Sequence, residues 1–190
     1  MMLKWTIAAA GAFAIALLAA RAPMPWRPEA KTASTAAVPA PDNAVAAACS
    51  ADRKAANLNF TLNDLQNKPV KLADYKGRVI VLDFWATWCG PCKLEIPWFE
   101  EMHKNYGAQG LQMIGVSVDD KLKDLLPYVA DMKMNYPVLV GKDRQDVQDA
   151  YGPLVGIPVS VIIARDGNVC TSHAGLTGKE TFEYEIKALL

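Results

Sequence analysis

A seven-residue run of β-branched and aromatic residues, Val79 to Trp85, leads almost directly into Trp88-Cys89-Gly90-Pro91-Cys92. This junction constrains the chain more than any other feature. A continuous apolar run of that kind reads as a strand buried on both faces, which needs packed layers above and below it. Proline is pre-shaped for the first turn of a helix, so Pro91 opens one that runs to about Tyr106, with Ile96, Phe99, Met102 and Tyr106 on its buried stripe. Cys89 then falls at the helix N-terminus, where free N–H groups and the dipole stabilise a thiolate. Thiol pKa values fall to roughly 3.5–7.5 in such settings. Cys92 lies one turn on, within reach of a mixed disulfide formed at Cys89.

Three other uses of the cysteines compete. A zinc half-site needs a second ligand pair, but Cys49 and Cys170 are isolated and His103 is far along the helix. A purely structural bridge has little need of Gly-Pro and a flanking tryptophan. A peroxide-reducing cysteine wants Pro-x-x-x-Thr-x-x-Cys, and here Leu82 and Ala86 stand in those places. A reversible dithiol fits best.

Around this motif the pattern alternates strand and helix. Leu58 to Leu62 alternates and is broken by Asn63-Asp64; Val70 to Leu72 is a second short strand. Leu111 to Val118 is another buried strand. Leu125, Leu126 and Val129 give a helical stripe with a kink or late start at Pro127. A strand at Tyr136–Val140, a helix at Val147–Tyr151 and a strand at Val159–Ala164 follow. Arg165-Asp166-Gly167-Asn168 turns into a strand at Val169–Thr171. Thr177 and Glu180 form a capping box before a last helix carrying Phe182, Ile186 and Leu189. The expected class is an α/β sandwich.

The N-terminal region has a different character. Lys4 precedes sixteen uncharged residues, Trp5 to Ala20, and Arg21 ends the run. Residues 1–22 read as an export signal or an N-terminal membrane anchor, shorter than a comfortable span of about 20 residues. Residues 23–50, rich in Ala and Pro, read as a disordered linker, and residues 51–190 as the folded domain. Lys+Arg and Asp+Glu balance at 20 each. Four of those basic residues and two of the acidic ones fall before residue 49, so the domain is mildly acidic. A nucleic-acid partner and a polybasic surface are therefore not expected.

Asp83-Phe84-Trp85-Ala86-Thr87-Trp88-Cys89-Gly90-Pro91-Cys92-Lys93 resembles the active-site stretch of thioredoxin. From about Asn57 onward the chain resembles the TlpA/ResA type of thioredoxin-like protein. The resemblance is carried further by Leu72 to Gly77, by Glu95 three residues after Cys92, by the βα segment around 121–151, and by Gly156-Ile157-Pro158. It implies a thioredoxin fold: a central mixed sheet flanked by helices, with an N-terminal strand pair and a central βα insertion. It also implies an exported thiol–disulfide oxidoreductase that reduces protein disulfides through Cys89 and Cys92, with no cofactor or metal beyond that pair. Its targets would be apocytochrome c or copper-assembly proteins, a membrane thiol reductase would supply electrons, and the protein would be a monomer. A disulfide-forming oxidant and a non-catalytic binding module that uses the Pro158 groove stay open as alternatives.

The resemblance assigns roles residue by residue. Cys89 is the exposed attacking thiol and Cys92 the buried resolving thiol. Pro158 matches the family's cis-proline, so Ile157 offers its backbone to an extended substrate beside Trp88, Gly90 and Pro91. Asp83 interrupts an apolar strand, where an unpaired carboxylate is costly and its pKa should rise. It resembles the buried acid of thioredoxin, and Glu95 matches the acid that marks the ResA-like group. Their division of labour is open. Cys49 and Cys170 are expected to pair, because exported chains tend to bridge spare cysteines and some TlpA relatives carry a bridge to this late strand. His103 and His173 are read as structural.

Overall fold

A computed structural model describes residues 48–118, 120–152 and 154–190. The expected signal or anchor lies outside the described residues, as does nearly all of the expected linker. The strands are β1 (Thr61–Asp64), β2 (Pro69–Lys71), β3 (Val79–Trp85), β4 (Leu111–Ser117), β5 (Val138–Val140), β6 (Val159–Ile163) and β7 (Val169–Ala174). The helices are α1 (Gly90–Tyr106), α2 (Leu122–Asp131), α3 (Gln145–Ala150) and α4 (Lys179–Leu189). One sheet forms in the order β2-β1-β5-β4-β3-β6-β7. β3, β4 and β5 run parallel, while β1, β6 and β7 pair antiparallel to their neighbours. This is the mixed α/β sandwich anticipated from the pattern.

Every residue of β3 is buried, and its period of two divides them between two layers. Ile80, Leu82 and Phe84 enter one core with Val147 of α3. Val79 and Val81 face Phe99 and Met102 of α1 and Phe182 and Ile186 of α4. At the C-terminal end of β3, Trp85 joins both cysteines, Ile96 of α1 and Leu125 of α2. Gly115, opposite Asp83 in β4, has no side chain because a Cβ there would lie 2.8 Å from the Trp85 indole nitrogen.

Several local expectations are corrected. β1 starts at Thr61 and includes Asn63 and Asp64. Asp64 ends the strand by folding its carboxylate back onto the N–H groups of Gln66 and Lys68. Leu58 is buried outside the ladder. Helix α2 begins at Leu122 with Pro127 inside it, so there is no late start, and Leu126 is 46% exposed rather than on the stripe. The capping box does not form: Gly178 is the N-cap of α4 and no side chain caps it. The Thr177 N–H donates instead to Glu95.

The β6–β7 hairpin turns through Gly167, whose φ of +83° favours glycine. Beyond it Ile163 pairs with Val169 and Ile162 with Thr171, which leaves Cys170 as an extra, bulged residue. A bulge re-aims the side chain it carries. Cys170 thus enters the α1/α4 core, where its sulfur is bonded to that of Cys49, with Cα atoms 4.5 Å apart. Residues 50–56 then run along β7: Ser50 N–H donates to Cys170 O, Val169 N–H to Lys54 O, and Ala56 N–H to Gly167 O.

Candidate active site

The loop from β3 delivers Cys89 to the N-cap of α1, followed by Gly90 and Pro91 in the first turn. Cys89 and Cys92 are joined as a disulfide with Cα atoms 5.3 Å apart. Cys89 Sγ accepts the Cys92 N–H at 3.2 Å, so the sulfur lies among the N–H groups of the helix end. The expected contrast in exposure is small in this oxidised state, with Cys89 3% and Cys92 1% exposed. Gly90 and Pro91 form the exposed rim. Trp88 beside them is 63% exposed.

The Ile157–Pro158 bond is cis. Ile157 packs against the cluster containing both cysteines. With Trp88, Val118, Gln148, Leu154 and Gly156 it lines a shallow, largely apolar pocket. Through Trp88 and Ile157 this pocket adjoins the cysteine loop.

Two acids lie behind the pair. Asp83 is 1% exposed, and its Oδ1 accepts the Ser160 hydroxyl at 3.2 Å. Burial first, then the charge of Glu95, pushes the Asp83 carboxyl up to about 8. Glu95, one turn beyond Cys92, is also 1% exposed rather than a surface residue. Its Oε1 accepts the Thr177 N–H at 2.8 Å, and its Oε2 is buried with no hydrogen-bond partner among the described residues. Burial holds its pKa above the ordinary carboxylate value, although the Thr177 N–H and the charge of His173 pull against that rise. Tyr136, whose buried hydroxyl also has no partner among the described residues, is held well above the usual phenol range by burial.

Sequence reasoning missed three contributors. Asp120, 6% exposed, ties the end of β4 to the cysteine loop through Thr87 and Ser117. The only hint was an acid just past a buried strand. Ser160 is the apolar strand's one hydroxyl on the Asp83 rung. The Thr177 N–H that anchors Glu95 was masked by an apparent capping box. Among the described residues no three His, Cys, Asp or Glu side chains form a metal-ligating group.

A dithiol–disulfide at a helix N-terminus, with a cis-proline near it and acids behind it on a mixed sheet, defines a thioredoxin-fold thiol–disulfide oxidoreductase. The chain belongs to the AhpC/TSA family, whose sequence model matches residues 53–172. It is 31% identical over 131 residues to the thiol-disulfide oxidoreductase ResA of Bacillus thuringiensis subsp. konkukian, spanning 69% of this chain and 75% of that one. It is 35% identical over 111 residues to ResA of Bacillus subtilis, spanning 58% and 61%. The crystal structure of a thiol:disulfide interchange protein of the thioredoxin family from Chlorobium tepidum superposes with a TM-score of 0.65. That pair is 28% identical, with 74% of this chain and 98% of the other covered. Disulfides of other proteins are the substrate class that a thiol–disulfide oxidoreductase implies.

Proposed function

We propose that this protein is an extracytoplasmic reductant of protein disulfides, working on haem-attachment thiols of apocytochrome c or on thiols of copper-site assembly proteins. A membrane thiol reductase supplies its electrons, and the two sulfurs are its only electron carriers. The observation that carries the reading is the placement of Cys89 at the helix cap with a buried, partly unsatisfied Glu95 one turn beyond Cys92. The apolar stretch from Trp5 to Ala20 supports export, either as a cleaved signal or as an anchor.

In the reducing direction, the Cys89 thiolate attacks one sulfur of the target disulfide. A bond forms between Cys89 and that sulfur, and the other leaves as a thiolate that takes up a proton. Cys92 then gives its proton to a buried carboxylate and attacks Cys89 Sγ. The target's second sulfur departs with the electron pair, and the Cys89–Cys92 disulfide remains. Trp88, Gly90, Pro91, Ile157 and Pro158 hold the extended target during both attacks.

The reduction potential of the pair tests the direction. A value near about −270 mV supports a reductant, and one near about −120 mV overturns it in favour of an oxidant. No exchange with any disulfide would leave only a binding module.

A further inference from the structure

Asp83, Ser160 and His173 occupy one rung of the sheet. Asp83 is paired with Ser160 across β3 and β6, and Ser160 with His173 across β6 and β7. Residues directly opposite on neighbouring strands share a face, so the three side chains lie in a row beneath α1 and α4. Strand spacing of about 4.8 Å puts the outer two backbones about 10 Å apart. Glu185 of α4 covers the His173 end of this row, and the charge of Glu95 of α1 acts on Asp83. Glu185 Oε2 meets His173 Nε2 at 2.7 Å and accepts the Thr171 hydroxyl at 3.0 Å. Phe182 holds the imidazole edge-on, with centroids 5.2 Å apart. His173 and Glu185 side chains keep 19% and 10% exposure, so solvent reaches the cluster at this end.

Asp83 feels the charge of Glu95, and two buried carboxyls so coupled resist double ionisation. Which one is the anion decides which can take the Cys92 proton. Their surroundings are unequal. Burial and the Glu95 charge oppose ionisation of Asp83, and the Ser160 hydroxyl favours it. Burial opposes ionisation of Glu95, but the Thr177 N–H and His173 both favour it. Tyr136, the phenol that both acids act on, stays neutral.

We propose that the His173–Glu185 pair divides the labour between the two buried acids, keeping Glu95 the anion that accepts the Cys92 proton and Asp83 its neutral partner. The proposal rests on the reading above in which a buried carboxylate takes that proton. His173 is a positioning residue that acts through the charge of Glu95, and Glu185 fixes the ring. The proton moves from Cys92 sulfur to Glu95 as the Cys92–Cys89 bond forms and the bond to the target sulfur breaks. It later leaves Glu95 for water.

Two measurements on the full-length protein test this. The infrared carbonyl band of a protonated buried carboxyl, recorded at neutral pH, should vanish in Asp83→Asn and survive in Glu95→Gln. In His173→Gln a protonated carboxyl that Glu95→Gln removes should appear; an unchanged assignment overturns the proposal. Second, the acidic limb of the pH–rate profile for single-turnover reduction of a small model disulfide should move to higher pH in His173→Gln. The rate below the limb should fall about tenfold for each pH unit of movement. Glu185→Gln, which keeps the ring, should move the limb the same way and serves if His173→Gln does not fold. The displacement should disappear in a Glu95→Gln background; persistence there overturns the proposal. A wild-type profile in Glu95→Gln alone would instead sink the base reading, and the infrared assignment would still judge His173 separately.

Discussion

Asp120 holds Thr87 at two points, accepting its backbone N–H at 2.9 Å and its hydroxyl at 2.7 Å. The Ser117 hydroxyl donates to the same carboxylate at 2.6 Å. Thr87 stands two residues before Cys89, so a side chain from beyond β4 clamps the loop that presents the cysteines. A second clasp, from Val118 N–H to Trp85 O at 2.9 Å, holds the strand end beneath it.

Asp120→Ala should therefore cost about 2–4 kcal/mol, because a part-buried N–H and two hydroxyls, one of them buried, lose their acceptor together. Disulfide reduction should slow as well, since the cap position of Cys89 loosens. Denaturant unfolding and insulin turnover check both parts, and a wild-type unfolding midpoint would refute the clamp.

Cys89→Ser should abolish insulin reduction, whereas Cys92→Ser should accumulate mixed disulfides on Cys89. The helix-cap position of Cys89 makes it the attacking sulfur. Peptide mapping of trapped adducts decides it: adducts on Cys92 of the first variant, with none on Cys89 of the second, would reverse the roles.

The raised pKa of Asp83 predicts a pH-dependent cost of folding. Between about pH 4 and about pH 8 the folded carboxyl keeps a proton that the unfolded one has released. Stability is therefore fullest at the acidic end and declines as pH rises, by up to about 1.4 kcal/mol per unit. Asp83→Asn removes this decline, so its stability advantage over wild type should widen from pH 4.5 to pH 8. Equal differences at the two pH values, measured by denaturant unfolding of the oxidised proteins, would contradict the assignment.

The Cys49–Cys170 bridge should outlast Cys89–Cys92 under mild reductant, since Cys89 caps the N-terminus of α1, which stabilises a leaving thiolate, and neither Cys49 nor Cys170 caps the N-terminus of a described helix. Closing a loop of this length contributes up to about 4–5 kcal/mol in the chain-entropy model. Replacing both residues by serine should lower the unfolding midpoint accordingly. Thiol mass mapping during a dithiothreitol titration gives the order of opening, and simultaneous release of all four thiols would count against it.

Much of this was legible from residue pattern because local and global demands agree. Val79 to Trp85 has no reading except a doubly buried strand, and Pro91 and Gly167 declare a helix start and a turn. What escaped depended on contacts distant in sequence. Nothing near Thr177 announces that its N–H serves a carboxylate on another helix. Nothing around Cys170 marks it as the bulged residue, because a bulge is a property of the paired strand. His173 looked like any polar residue on an edge strand until register placed it on the rung of Asp83.

The bulge at Cys170 also determines how the domain is gripped. Residues 49–56 are fastened beside the β6–β7 turn, level with the Val79 end of β3. Cys89 follows the other end of that strand, about 20 Å away at about 3.3 Å per residue. A load applied through residue 49 passes into the sheet along β7 as shear across its hydrogen-bond ladder. The Trp88–Cys89 rim therefore lies at the pole of the sheet opposite the segment 49–56.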